Sequence, residues 1–197
     1  MVSTENDARR LVFKYRSYTP IPFLVLMVFF ARPTAVRVLL GIAVMACGEA
    51  IRFWGVSIAG SETRTTGTVG GTYLITSGPF AHVRNPLYLG NMLLYAGVGI
   101  MSWALFPWLT LAAVAWFSFQ YYLIVTREEE YLTERFGEDY RRYCREVRRF
   151  LPRLTPYESA HPAPKGVSFH EGLASERRTL QAIALVVLLI LVIAVLR

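Results

Sequence analysis

The stretch TLQAIALVVLLILVIAVL, residues Thr179–Leu196, decides the fold class of this chain because no charged residue interrupts it. An α-helix rises about 1.5 Å per residue, so roughly 20 apolar residues cross a hydrocarbon core about 30 Å thick. The run approaches that length, and Arg177, Arg178 and Arg197 bracket it in the way that basic residues bracket membrane-spanning helices. We therefore predict a transmembrane helix over residues 179–196.

Four more apolar segments precede this helix and predict further membrane crossings. They are residues 16–31, 34–58, 86–101 and 104–125. Hydrophobic residues make up 54% of the 197-residue chain, which exceeds the usual share in a soluble domain. The predicted fold is therefore all-α, a single integral membrane domain over residues 1–197 with about five transmembrane helices. Four of these helices form a core over residues 16–126.

The predicted membrane crossings account for the net charge of +7 better than a nucleic-acid site does. Most Lys and Arg residues flank apolar segments, where anionic headgroups and the positive-inside tendency account for them. Placing the basic segments 1–18, 60–85 and 127–165 in the cytosol predicts a cytoplasmic N-terminus and a C-terminus outside. No nucleic-acid partner is predicted, and the oligomeric state stays open.

Cysteine and histidine contents predict neither a disulfide nor a metal site. Cys47 lies in an apolar run and Cys144 in a charged one, while the histidines at positions 82, 161 and 170 lack ligand spacing. The pair Gly70-Gly71 is too little for a dinucleotide fingerprint. We therefore predict no metal and no Rossmann-type nucleotide site.

Two segments outside the predicted crossings carry further information. Residues 61–78 are rich in Gly, Thr and Ser, which predicts either a functional loop or a plain linker. From Phe136 to Phe150, apolar residues recur every three or four positions between charged ones. This spacing predicts an amphipathic helix that lies on the membrane or caps the bundle. Prolines between residues 152 and 165 predict an irregular linker to the last helix.

Ionisable residues stand at the predicted ends of two helices. Pro86 suits the first turn of the third crossing, which leaves Arg84 and Asn85 on non-helical backbone at the interface. Glu128 and Glu129 follow the fourth crossing, where carboxylates oppose the helix dipole unless the helix continues into water or a positive partner is near. The alternatives to a site are a snorkelling arginine and a solvated acidic turn.

Glu49 and Arg52 form a third polar feature, inside the second predicted crossing. They are three residues apart and therefore share one face of the helix. An ionisable residue at membrane depth is a functional hypothesis, and its alternative is an ion pair that satisfies itself near the cytosolic end.

An ordered set of motifs resembles the superfamily of isoprenylcysteine carboxyl methyltransferases and phospholipid methyltransferases over about residues 48–153. The set begins with Leu74-Ile75-Thr76-Ser77-Gly78-Pro79-Phe80 and Val83-Arg84-Asn85-Pro86-Leu87-Tyr88-Leu89-Gly90. It continues with Glu128-Glu129, Leu132, Phe136-Gly137, Tyr140, Tyr143, Val147 and Pro152.

The resemblance implies a membrane-embedded methyltransferase that uses S-adenosylmethionine and acts on a lipid-like or prenyl-like substrate from the bilayer. It implies a cofactor pocket at the cytosolic end of the bundle, capped by residues 127–165. Arg84 and Glu129 are the catalytic candidates, because an arginine can hold the cofactor carboxylate and a glutamate can accept from its hydroxyls or ammonium. The residues carried over by position to the cofactor site are His82, Val83, Arg84, Asn85, Pro86, Tyr88, Gly90, Glu128 and Glu129.

Two residues depart from the pattern of that superfamily. Asn85 stands where a histidine is usual, and Ile124 stands where the prenylcysteine carboxyl methyltransferases have an arginine suited to a carboxylate. Ile124 favours an amine, thiol or other acceptor, unless Arg52, Arg84 or Arg127 replaces that arginine. The other functions that fit are an NADPH-dependent membrane reductase of the sterol-reductase type and a non-catalytic membrane binding or scaffold protein.

Overall fold

The structure, a computed structural model, describes residues 15–60, 73–158 and 168–196. Within these residues the fold is all-helical and contains no strand, which confirms the all-α part of the predicted fold class. A 3-10 helix, Gly78–Ala81, precedes the third α-helix. The α-helices are α1 Pro20–Phe29, α2 Ala35–Ala59, α3 Pro86–Ser102, α4 Trp108–Glu146 and α5 Phe169–Leu196.

Several sequence-based predictions fall outside the described residues. They concern residues 1–14 of the cytosolic N-terminal segment, residues 61–72 of the Gly-rich loop, and residues 159–167 of the linker before α5. His161 and the pair Gly70-Gly71 belong to these segments.

Two of the described helices, α4 and α5, are long and apolar enough to be candidates for crossing a membrane. α1 has 10 residues and α3 has 17, which is short of the roughly 20 residues that a full crossing needs. α2 has 25 residues but carries Arg37, Glu49 and Arg52. Each predicted crossing therefore contains a helix, while length and apolarity support a crossing for two of the described helices.

α1 is shorter than the predicted segment 16–31. It begins at Pro20, because proline fits the first turn of a helix, where its missing N–H leaves no hydrogen bond unmade. The Thr19 hydroxyl just before it donates to the Gln120 side-chain oxygen at 2.7 Å. The helix ends at Phe29, close to Pro33, which disfavours helical backbone at the residue before it.

The fourth predicted crossing and the predicted amphipathic helix are joined in α4. The helix runs from Trp108 to Glu146 and is interrupted at Gly137, where φ is 54° and ψ is −123°. Only glycine adopts this backbone geometry readily, so Gly137 interrupts α4 near the start of the segment predicted to be amphipathic. The amphipathic helix ends at Glu146, short of the predicted Phe150.

α5 begins ten residues before the predicted start at Thr179. The additional segment, from Phe169, is polar and includes Glu176, whose side chain is only 2% exposed. The helix thus extends beyond the predicted crossing at its N-terminal end, because one of the charged residues before that crossing, Glu176, is buried within protein.

The described residues form two compact units. The first contains the described residues of Met1–Gly48, Met92–Thr126 and Gln181–Arg197. The second contains those of Glu49–Asn91 and Arg127–Leu180. All the residues predicted for the cofactor site lie in the second unit.

In the first unit, α2 and α3 approach each other closely at Gly41 and Gly97. A Cβ atom added to Gly97 would lie 2.8 Å from the Gly41 carbonyl oxygen, and one added to Gly41 would lie 2.6 Å from the Gly97 carbonyl oxygen. Helix pairs in membranes use small residues for such backbone contacts. A larger side chain at either position would push the helices apart.

The second unit has a hydrophobic core between the 3-10 helix and the amphipathic half of α4. Its buried residues are Ala81, Tyr140, Tyr143, Val147 and Tyr157. Three of them lie at the predicted spacing on one face of the amphipathic segment. This face therefore packs against protein.

Candidate functional site

The site is built on the short connection between the 3-10 helix and α3, which residues 147–157 clamp from the other side. The Arg84 amide donates to the Arg148 carbonyl at 2.9 Å, and the Arg153 amide donates to the His82 carbonyl at 2.9 Å. The Tyr157 amide donates in turn to the Ala81 carbonyl at 2.9 Å. Backbone hydrogen bonds thus hold an irregular segment before α3 in one conformation.

Two buried tyrosines of α4, Tyr140 and Tyr143, pack in the core beside the 3-10 helix, and Tyr143 also bonds to it. The Tyr143 hydroxyl donates to the Phe80 carbonyl at 2.6 Å. Burial raises the pKa of both Tyr143 and Tyr140 well above the usual value for a phenol. Both side chains therefore remain protonated at physiological pH, and the hydroxyl of Tyr143 stays a donor.

Glu129 lies between two guanidinium groups. Nη1 of Arg84 lies 3.0 Å from its Oε1 atom. Arg149 donates from Nε to both carboxylate oxygens at 3.0 Å and from Nη2 to Oε2 at 2.6 Å. The Glu129 side chain is 15% exposed and that of Arg84 is 12% exposed. The structure thus brings the two catalytic candidates, Arg84 and Glu129, into direct contact.

Neighbouring groups extend this ion-pair cluster in two directions. The Tyr88 hydroxyl donates to Glu128 Oε1 at 2.7 Å, which ties α3 to α4. The Asn85 side-chain amide donates from Nδ2 to the Arg149 carbonyl at 3.2 Å, and Arg84 Nη1 also donates to the Cys144 sulfur at 2.7 Å. Carboxylates, guanidinium groups and neutral donors thus meet at the beginning of α3.

The remaining residues predicted for the site lie in the same segment, residues 82–90. His82 Nδ1 lies 2.9 Å from the Arg153 carbonyl oxygen. Val83, Pro86 and Gly90 are buried. In contrast, Glu130, the third residue of the acidic run, is exposed.

Sequence reasoning missed Arg149 and Cys144 as parts of the cluster. The apolar spacing of the amphipathic helix indicated the position of Cys144 in part, because Tyr140 and Tyr143 lie on the buried face and Cys144 follows Tyr143 directly. No local pattern distinguishes Arg149 from the exposed arginines around it. Its role depends on a carboxylate 20 residues earlier in the chain.

A second polar cluster surrounds Arg52 in the same unit. Arg52 donates from Nη2 to Glu176 Oε2 at 2.6 Å and to the Thr179 hydroxyl at 3.3 Å, and from Nη1 to the Asn91 side-chain oxygen. Its Nε atom lies 3.6 Å from Glu49 Oε2, within ion-pair distance but without a hydrogen bond. The hypothesis of a self-satisfied pair of Glu49 and Arg52 is therefore wrong, since Arg52 is bonded mainly to other residues.

The arrangement around Glu129 suits a zwitterionic ligand better than a metal ion. It offers carboxylates for a cationic group and guanidinium donors for an anionic one. Among the described residues, no three His, Cys, Asp or Glu side chains are grouped to hold a metal ion. Arg84 Nε is buried and has no hydrogen-bond partner within the described part of the chain, so the cluster retains donor capacity.

Comparison with known proteins agrees with the geometry. The family model described as phospholipid methyltransferase matches residues 36–139, which is more than half of the chain. These residues include the connection before α3 and the acidic run of α4. They exclude Arg149 and the whole of α5.

Two curated proteins are similar to parts of the chain. The cobalt-zinc-cadmium resistance protein CzcN of Cupriavidus metallidurans is 32% identical over 120 residues, which are 60% of this chain and 49% of the relative. The nickel-cobalt-cadmium resistance protein NccN of Alcaligenes xylosoxydans xylosoxydans is 35% identical over 89 residues, which are 45% of this chain and 40% of the relative. The matches thus span half or less of these relatives.

No solved structure matches the chain. The family match covers more than half of the chain, and the matched residues include both partners of the Arg84–Glu129 contact. The chain belongs to the phospholipid methyltransferase family.

Proposed function

We propose that this protein transfers a methyl group from S-adenosylmethionine to an amphipathic acceptor with an apolar tail, at the interface between membrane and cytosol. The observation that carries the proposal is the contact between Arg84 and Glu129, 3.0 Å apart, inside the region that matches the family. The alternatives with NADPH or without catalysis have no comparable support.

The proposed cofactor site uses the residues at the start of α3 and in the acidic run of α4. The bound cofactor supplies a methyl group that its positively charged sulfur already activates. The guanidinium group of Arg84 binds a carboxylate, while Glu128 and Glu129 accept from an ammonium group or from hydroxyls. His82, Val83, Asn85, Pro86, Tyr88 and Gly90 shape and support this pocket.

Glu129 has a second task in the proposed site, which is to position the two arginines. Its carboxylate already accepts from Arg149 and contacts Arg84, so most of its acceptor capacity is used. Fixed donors around a shielded site cost no reorganisation when a ligand binds. Glu129 thus contributes to cofactor binding mainly by holding Arg84 in place.

The acceptor is proposed to enter from the bilayer. Membership of the family and the apolar helices α4 and α5 indicate a membrane protein. We propose five crossings, with the shorter helices α1 and α3 helped by flanking aromatic and basic anchors. Ile124 is buried on α4, and its apolar side chain offers nothing to a carboxylate, which favours acceptors other than a prenylcysteine carboxyl group.

The names of the curated relatives refer to resistance to cobalt, zinc, cadmium and nickel. The matched segments cover 49% and 40% of those proteins. The proposal for this chain therefore relies on the family match and the site.

Calorimetry on the purified full chain in detergent tests the proposal. We expect saturable binding of S-adenosylmethionine and none of NADPH. In Glu129→Gln we expect the affinity for S-adenosylmethionine to fall by about tenfold or more, because loss of a charge-assisted partner frees both arginines. Glu130→Gln, an exposed neighbour in the same turn, is the matched control and should bind like the parent.

Two results would overturn the proposal. Absence of S-adenosylmethionine binding by the parent protein removes the methyltransferase function. Equal binding by Glu129→Gln and the parent removes the proposed placement of the site, even if the protein methylates an acceptor.

A further inference from the structure

A group of arginine and aromatic side chains lies where the α1–α2 connection meets the α3–α4 connection, and the proposed function does not use it. Its members are Arg32, Arg37, Trp103 and Phe106, which we call the Arg37 cluster. All four residues belong to the first unit, whereas the residues of the proposed cofactor site belong to the second. The cluster therefore needs an explanation of its own.

The guanidinium group of Arg37 is held in one place by two contacts. Its Nη1 atom donates to the Arg32 carbonyl at 2.8 Å, and its Cζ atom lies 4.4 Å from the centre of the Trp103 ring, a cation–π distance. The Arg32 amide donates in turn to the Ser102 carbonyl at 2.6 Å, which joins the two connections. A guanidinium group has five N–H donors, so this fixed group retains donors for an anion.

The backbone beside Arg37 adopts an unfavourable conformation. Trp103 has φ 52° and Leu105 has φ 45°, a region that residues with large side chains rarely occupy. The Trp103 ring also stacks on the Phe106 ring, with the ring centres 3.8 Å apart. Such backbone outliers persist where the surrounding structure determines them, often at sites that bind ligands. The α3–α4 connection thus keeps Trp103 against Arg37 despite backbone strain.

The described residues of the first unit carry positive charge and no negative charge. These residues, 15–48, 92–126 and 181–196, include no Asp or Glu. Neither Arg32 nor Arg37 forms an ion pair with a carboxylate of the described residues. With the predicted cytoplasmic N-terminus, both connections lie outside, where arginines run against the positive-inside tendency. An anion that is not part of the chain would account for both of them.

Large apolar side chains are exposed in and beside the same two connections. Trp108 is 76% exposed, Phe29 is 72% exposed and Leu105 is 56% exposed. Tryptophan is enriched where headgroups meet acyl chains, and guanidinium groups bind phosphate through paired hydrogen bonds. A free phosphate ion would use the arginines alone. A phospholipid would use both the arginines and the apolar side chains.

We propose that the Arg37 cluster binds one anionic phospholipid, whose phosphate group lies between the side chains of Arg32 and Arg37. The acyl chains of this lipid contact the exposed apolar side chains of the two connections. The lipid is a bound structural partner and is distinct from the methyl acceptor. The inference is therefore independent of the proposed function.

Native mass spectrometry tests this site by counting the lipids that stay bound to the protein. The purified full chain in a non-ionic detergent is titrated with dioleoyl phosphatidylglycerol and, separately, with dioleoyl phosphatidylcholine. The two lipids share their acyl chains and phosphate group and differ in net charge. We expect one phosphatidylglycerol to bind about tenfold more tightly than phosphatidylcholine, because two arginines attract the anionic headgroup.

Substitutions at the two arginines locate the site. Arg32→Gln and Arg37→Gln should each lose the preference for phosphatidylglycerol. The side chain of Arg32 is exposed, so Arg32→Gln should fold like the parent, which circular dichroism checks. The matched control is Arg178→Gln, which removes an exposed arginine just before the apolar run of α5 and should keep the preference.

Three results would overturn the inference. Equal affinity of the parent for the two lipids, or an equal loss of preference in Arg178→Gln, would show a general attraction of arginines to anionic lipids. Retention of the preference by Arg32→Gln or Arg37→Gln would show that the lipid binds elsewhere. Displacement of phosphatidylglycerol by millimolar inorganic phosphate would assign the site to the free ion. Calorimetry with S-adenosylmethionine tests the proposed function separately from all three.

Discussion

At the scale of single residues, burial separates two ion pairs of similar geometry. Arg149 and Glu129 approach to 2.6 Å with side chains 32% and 15% exposed, while Arg145 and Glu138 approach to 2.7 Å with side chains 64% and 59% exposed. Water screens the second pair, whereas the first also positions Arg84. We therefore expect the Arg149–Glu129 pair to stabilise the protein more than the Arg145–Glu138 pair does.

We predict that Glu129 and Arg149 are energetically coupled. In a double-mutant cycle of Glu129→Gln and Arg149→Gln, we expect a coupling energy of about 1–3 kcal/mol, the range for hydrogen bonds between charged partly buried groups. Chemical denaturation in mixed micelles, followed by circular dichroism, measures the four free energies of unfolding.

The cycle of Glu138→Gln and Arg145→Gln is the control and should give a much smaller coupling that vanishes at high salt. Equal coupling in the two cycles would contradict the view that burial distinguishes them. It would also reduce Arg149 to one of many surface arginines.

The contact of Arg84 with Glu129 could be predicted from the sequence only in part. Pro86 places Arg84 before a helix, and the motif spacing pairs it with the acidic run. Which glutamate pairs with Arg84, and that Arg149 joins them, depends on the direction of side chains across a kinked helix. Neither hydrophobic period nor motif spacing carries that information.

At the scale of elements, Gly137 is the residue at which the helical backbone of α4 is interrupted. It has φ 54° and ψ −123°, and a Cβ atom added there would meet nothing within 4 Å. A substitution at Gly137 therefore tests backbone geometry without steric clash. The kink directs Tyr140 and Tyr143 toward the 3-10 helix, where Tyr143 donates to the Phe80 carbonyl.

We predict that Gly137→Ala destabilises the second unit. Strain of about 1–3 kcal/mol is expected for a side chain in this conformation, or else α4 straightens and the Tyr143 hydrogen bond is lost. Thermal unfolding in detergent should occur at lower temperature, and the affinity for S-adenosylmethionine should fall. Glu134→Ala, at an exposed helical position before the kink, should change neither. An unchanged melting temperature for Gly137→Ala would show that the kink is not required.

The helix ends illustrate what local patterns leave out. The starts of α2 and α3 were predicted within one residue, because a proline lies just before the first and opens the second. α5 begins ten residues before the predicted crossing, and this extension includes Glu176, which accepts a hydrogen bond from Arg52, a partner 124 positions away in sequence. A local sequence pattern therefore cannot show that such a charged residue is buried, because its partner is far away in the sequence.

At the scale of the whole molecule, charge is distributed unevenly around the helices. The described residues 127–158, which include the second half of α4 and the segment after it, carry eight arginines, whereas the connection from Ser102 to Pro107 carries no charge. Basic residues remain preferentially on the cytosolic side of membranes. We therefore propose that the cofactor site faces the cytosol.

We predict that the two connections are accessible from opposite sides of the membrane. Leu105 and Glu138 are suitable reporters because they are 56% and 59% exposed. A membrane-impermeant maleimide should label Leu105→Cys in intact cells and Glu138→Cys only in inside-out vesicles, each above the background of Cys47 and Cys144 in the parent. Labelling of Leu105→Cys from the cytosolic side would reverse the orientation of α3 and α4. It would then move the arginine-rich segment outside, against the positive-inside tendency, and leave the proposed site without access to its cofactor.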